Sequence, residues 1–153
     1  MSRRLLSVLI LACMAMIGGT LAYTASATVP TTRSFAMLNG AQEAPGPGDA
    51  NAKGAGLVTV RPSTNEVCIS IRFNRIDGAV NAMHIHDGPA GVPGPIVVDL
   101  TSALSNGGVG CGTATPAIIQ RLRQNPRQFY CNVHSQPAFP NGAIRGQLID
   151  SDL

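Results

Sequence analysis

The chain has 153 residues, enough for one folded domain with a real core and short for two. Only 12% of the residues are charged, which excludes a disordered polyelectrolyte, while 17 glycines and 11 prolines suit a strand-rich protein with many turns. The formal charge of +3 includes Arg3 and Arg4; without those two it is +1, so charge gives no argument for nucleic acid or an anionic membrane as partner.

The N-terminus reads as an export signal. Met1 to Arg4 is a basic lead, Leu5 to Ile17 is apolar, and Ala25-Ser26-Ala27 is a small-residue cleavage site. A cut after Ala27 is expected, leaving residues 28–153 as a single secreted or periplasmic domain. The apolar run is short of the roughly 20 residues a membrane span needs, and Gly18-Gly19-Thr20 interrupts it. Leu11-Ala12-Cys13 offers a weaker alternative, a lipid-attachment box at Cys13.

Downstream, Arg33 to Asn39 reads as a first strand and Gly40 to Gly48 as a loop. Gly56 to Arg61 is a second strand, and Pro62 to Asn65 is a turn by composition. Glu66 to Phe73 is the cleanest strand: Val67, Ile69, Ile71 and Phe73 alternate with Cys68, Ser70 and Arg72. Val80 to His86 and Ile96 to Leu100 are the fourth and fifth. Thr101 to Thr113 reads as loop. Thr115 can cap a helix that starts at Pro116 and buries Ile118, Ile119 and Leu122, with Arg121 and Arg123 pointing away. Asn125-Pro126 ends it. Arg127 to His134 and Ala143 to Ile149 complete seven strands. The expected fold is all-β, an antiparallel Greek-key-like sandwich or barrel with one short helix.

Export implies an oxidising compartment, and Cys68, Cys111 and Cys131 allow three pairings. Cys68 lies opposite the Ile69/Ile71 face, and Cys111 sits in a glycine loop able to reach it. Cys131 shares a face with Val133. The alternation therefore favours a Cys68–Cys111 disulfide and a buried Cys131 thiol; the alternative is that Cys131 takes one of the others.

Several blocks carry a family resemblance. They are Ala-x-His-Ile-His-x-Gly-x-x-Gly-x-x-Gly-Pro from Ala82 to Pro95, Tyr-x-Asn-Val-His from Tyr130 to His134, and Phe-Pro-Asn-Gly-Ala-Ile-Arg-Gly-Gln-Leu from Phe139 to Leu148. Leu38 to Pro45 and Glu66 to Cys68 also fit. The sequence resembles the CHRD domain, first recognised in chordin and found in bacterial secreted proteins, from about Phe35 to Leu148. That family is similar to immunoglobulin-like or superoxide-dismutase-like sandwiches. The likeness to chordin carries no ligand specificity to a lone small domain.

Chemistry concentrates at three histidines. His84 and His86 are two apart on one strand and project together, and His134 lies on a distant one. Neutral imidazole suits copper and zinc. The arrangement resembles the copper half of copper–zinc superoxide dismutases. That likeness implies His84, His86 and His134 as ligands of one copper ion, zinc being second choice, and Arg145 as a cation guiding a small anion. It also raises superoxide-dismutase-like redox activity. No fourth histidine is available to bridge a second metal, so the site is mononuclear. Asp87 adjoins His86 as a candidate acceptor. The alternative is a non-catalytic binding or matrix module whose histidines only hydrogen-bond, with Asn132 and Gln147 in the network and Arg145 paired to Asp87 or Asp99. No acid pair for glycoside hydrolysis, phosphate loop or aromatic platform stands out.

Overall fold

The computed structural model describes residues 29–151. The expected signal segment, its cut after Ala27, and Cys13 lie outside the described residues. Eight strands form the fold: β1 Thr32–Asn39, β2 Lys53–Arg61, β3 Glu66–Asn74, β4 Ala79–Asp87, β5 Ile96–Asp99, β6 Val109–Thr113, β7 Phe129–Gln136 and β8 Phe139–Asp150. Helix α1, Pro116–Gln124, lies between β6 and β7. The strands make one antiparallel sheet in the order β5-β4-β7-β8-β1-β2-β3-β6, curled into a nearly closed barrel. The β3-to-β4 and β6-to-β7 links cross the end of that barrel.

Alternation decides which side of each strand faces in. Val67, Ile69 and Ile71 of β3 are all buried, as are Met83 and Ile85 of β4 and Phe129, Cys131 and Val133 of β7. Each such aliphatic or aromatic side chain contributes roughly 1.5–3 kcal/mol of transfer free energy. Helix α1 starts as its sequence dictates: the Thr115 hydroxyl accepts from the Ile118 amide at 3.3 Å, and Pro116 takes the first turn. Its Ile119 and Leu122 plug the core. Among the described residues no helix is long and apolar enough to cross a membrane.

Eight strands replace the expected seven. Val109–Thr113, expected as loop, is β6 and pairs with β3, with Cys68 directly opposite Cys111. Gly110 and Gly112 hid it, because they leave no side chain for an alternating pattern. Both are needed as glycine. A Cβ on Gly110 would come within 2.8 Å of Ala103 Cβ, and one on Gly112 would strike the Asp99 carbonyl. The Cys68–Cys111 disulfide is formed and Cys131 is a buried free thiol. Cys111 reaches its partner from a strand, so no loop movement is involved. Burial pushes the Cys131 thiol up to about 12, which keeps it protonated and unreactive.

Candidate metal centre

Met83 and Ile85 face the core, so His84 and His86 face outward from β4. β7 runs antiparallel beside it. Its register sets Asn132 opposite His84, Tyr130 opposite His86, and His134 opposite Ala82. β8 continues the same outer surface, with Arg145 opposite Asn132 and Gln147 opposite Tyr130. Three histidines from two strands thus share one polar patch on the barrel wall, and one nitrogen from each lies within 4.8 Å of the others.

Two of the rings are oriented by the backbone. His86 Nδ1 lies 2.8 Å from the Gly94 carbonyl, and His134 Nδ1 lies 3.0 Å from the Pro140 carbonyl. A carbonyl only accepts, so each Nδ1 carries the proton and each Nε2 keeps its lone pair. His86 Nε2 is buried and has no protein partner. His134 Nε2 lies 3.3 Å from His84 Nδ1, and His84 Nε2 lies 4.0 Å from an Asp99 oxygen. Burial holds His84 and His86 below the usual imidazole range. Neighbouring imidazoles push the same way, against Asp99 for His84, and against the Gly94 carbonyl and the Asn132 amide for His86. Neutral rings with directed lone pairs are what a metal ion requires.

The glycine-rich segment after β4 folds over this surface. The Asp87 amide donates to the Pro95 carbonyl at 3.0 Å, closing the loop at its base. The Gly94 amide donates to the Tyr130 hydroxyl at 3.1 Å. Gly94 has no room for a side chain, since a Cβ there would strike the Asp87 carbonyl. Arg145 Nη2 donates to the carbonyls of Pro89 and Val92 at 2.8 and 3.1 Å, and Gln147 Nε2 donates to those of Gly88 and Arg127, both at 2.8 Å. The His86 and Tyr130 rings stack with centroids 4.7 Å apart, and the Arg145 guanidinium lies 3.4 Å from the Tyr130 centroid. Imidazole, phenol and guanidinium form a layered stack under the loop.

The family model for the CHRD domain matches residues 34–148. The chain belongs to the CHRD domain family. No curated protein and no solved structure matches it. In this CHRD domain the glycine-rich loop has a concrete task, placing the Gly94 carbonyl on His86.

Arg145 is 1% exposed, donates to loop carbonyls and lies against the Tyr130 ring. It pairs with neither Asp87 nor Asp99. Asp87 takes a bidentate pair with Arg121, one arm at 2.8 Å, and Arg121 stays exposed, away from the buried face of α1. Tyr130 escaped sequence reasoning as a stacking partner, although its place two residues before Asn132 puts it on the histidine face.

Glu43 was also missed. It comes from the Gly40 to Gly48 segment, which begins with a 3-10 turn at Gly40–Gln42. A cleft of ≈ 280 Å³ lies between Gln42, Glu43, Ala90, Gly91, Arg145 and Gln147. Glu43 Oε1 and Arg145 Nη1 are buried in this region without protein partners. Burial raises the Glu43 carboxyl to about 7, against the pull of Arg145. The fold therefore favours the protonated acid. That stabilisation is full below pH 4.5 and is lost as pH rises through about 7. Glu43→Gln, which mimics the acid, should melt with the wild type at pH 4.5 and above it at pH 8. Thermal melts across that range check this; a constant gap between the two proteins contradicts it.

Proposed function

We propose that this exported CHRD domain binds one copper ion through His84, His86 and His134. The observation that carries the reading is the pair of backbone-tied rings, His86 on Gly94 and His134 on Pro140, each turning Nε2 toward the same space, where His134 Nε2 meets His84 Nδ1 and His86 Nε2 has no hydrogen bond. A carbonyl holding the far nitrogen of a ligand imidazole is a recurrent feature of metal sites. An ion about 2.0–2.1 Å from tetrahedral nitrogens holds them about 3.3 Å apart. The His84–His134 gap is already 3.3 Å, and the widest gap, no more than 4.8 Å, closes with a small turn of a ring. Copper is favoured over zinc by the likeness to the dismutase copper site. Redox turnover is not part of the proposal. Export is supported by the N-terminal pattern and by the disulfide, which persists in oxidising compartments.

The competing reading has structural histidines only, each imidazole pinning a loop. Calorimetric titration with Cu(II) and Zn(II) separates the two. The protein should be recovered from an export-competent host, where an N-terminus at Thr28 checks the cut. His84→Ala, His86→Ala and His134→Ala should each lose more than the roughly 10–100-fold typical of an outer hydrogen-bond partner. Wild-type affinity should fall in acid as protons compete for the rings, with the loss displaced below the usual imidazole range because burial depresses His84 and His86. If the wild type binds neither ion more tightly than the variants, the histidines are structural.

A further inference from the structure

Asn132 occupies the middle of the polar patch. On the sheet it is the direct neighbour of His84 on β4 and of Arg145 on β8. Along β7 it stands two residues from His134 on one side and Tyr130 on the other, on the same face. Directly opposed residues on paired strands have Cβ atoms about 4.5–5.5 Å apart, so its short side chain ends among the longer imidazoles. Asn132 is 3% exposed, while His84 and His134 are only half-buried. It forms the floor of a site whose rim the rings supply.

Its carboxamide oxygen is buried, makes no hydrogen bond of good geometry, and has the His86 ring as its polar neighbour. Nearly all buried side-chain oxygens find a hydrogen bond, because leaving one unmade forfeits its solvation without return. His86 Nε2 beside it is in the same position, and with the ring proton on Nδ1 and the amide in this orientation both atoms present lone pairs. Two acceptors cannot satisfy each other. A cation satisfies both at once.

We propose that Asn132 Oδ1 is the fourth ligand of the centre, completing a set of three nitrogens and one oxygen that selects a divalent ion. The inference rests on the three-histidine reading above. An amide carbonyl is a hard donor, suited to Cu(II) or Zn(II) and poorly suited to Cu(I), which prefers sulfur. The nearby sulfurs are turned away: Met83 and Cys131 are fully buried on the core side of the same two strands. The ligand set therefore holds copper in its oxidised form.

The test uses the full mature domain with Cu(II) and Zn(II), read by calorimetry, Cu(II) electron paramagnetic resonance and metal-induced change in melting temperature. Asn132→Ala should weaken Cu(II) binding about 10–100-fold and shift the spectrum toward one fewer oxygen donor. Asn132→Asp offers a charged oxygen of the same shape. It should bind at least as tightly as the wild type, and its melting temperature should rise more on metal addition, because the ion neutralises a buried carboxylate. A packing role would instead lower the melting temperature of both variants and leave affinity and spectrum unchanged; that result overturns the Asn132 assignment alone. A wild type that binds neither ion overturns the three-histidine reading itself, and the fourth ligand with it.

Discussion

Arg145→Ala is expected to destabilise the domain by about 3–5 kcal/mol, combining an internal cavity with lost charged hydrogen bonds. The side chain is 1% exposed, and it donates to two loop carbonyls while lying flat on Tyr130. Its removal empties the space above the phenol, leaves the Val92 carbonyl without its Arg145 donor, and leaves the Pro89 carbonyl with the Val92 amide alone. Arg145→Lys should recover less than half of the loss. An ammonium is a point charge, without the planar fork that bonds the loop and stacks at the same time. Urea unfolding measures the cost. Hydrogen exchange at the Gly94 amide reports the loop directly, since that amide is bonded to Tyr130, which Arg145 covers. A change below about 1 kcal/mol, within the range of ordinary surface substitutions, would mean the loop holds itself. Metal affinity should fall as well in this variant, because the Gly94 carbonyl that sets the His86 ring rides on the same loop.

Loss of the disulfide is the other large effect. The bridge closes a span of 43 residues, for which chain entropy assigns about 4 kcal/mol. Cys68→Ala/Cys111→Ala should lose that amount in urea. The loss should begin at β6, a five-residue edge strand with two glycines. Cys131 is too deeply buried and too weakly acidic to replace either partner. Reduced and unfolded protein that is refolded and then oxidised should therefore regain Cys68–Cys111 alone. Tryptic mapping without reduction identifies the bridge; a Cys131 adduct would show that the core opens before the edge closes.

The strands legible in the sequence were those whose apolar residues alternate over several positions. Glu66 to Phe73 shows the pattern without interruption and Val80 to His86 shows it from Met83 onward, and both fall where expected. β6 was illegible because two of its five residues are glycine, retained for close approach of Ala103 and Asp99. β8 was legible only from Ala143 onward, since Pro140, Asn141 and Gly142 read as a turn although the strand begins at Phe139. The three histidines could be grouped because a spacing of two fixes a shared face. Joining His134 to them required the β4–β7 register, which no local pattern states. The burial of Arg145 lay further out of reach. It depends on a loop whose contacting residues lie 53 and 56 positions upstream folding back across β8, and a charged residue on the outer face of a strand gives no sign of being covered. Glu43 was hidden for the same reason.

The curled sheet leaves two ends, β5 and β6, and the fold turns them toward each other. Gly112 of β6 lies so close to β5 that its missing side chain makes room for the Asp99 carbonyl. An unpaired strand edge is a template on which another chain can add its own strand. Here each template is only four or five residues long and faces its counterpart across a narrow seam. The covalent staple at Cys68–Cys111 holds one lip of that seam in place. The bridge thus guards against intermolecular zippering as well as unfolding, and the seam is where self-assembly of this chain would have to start.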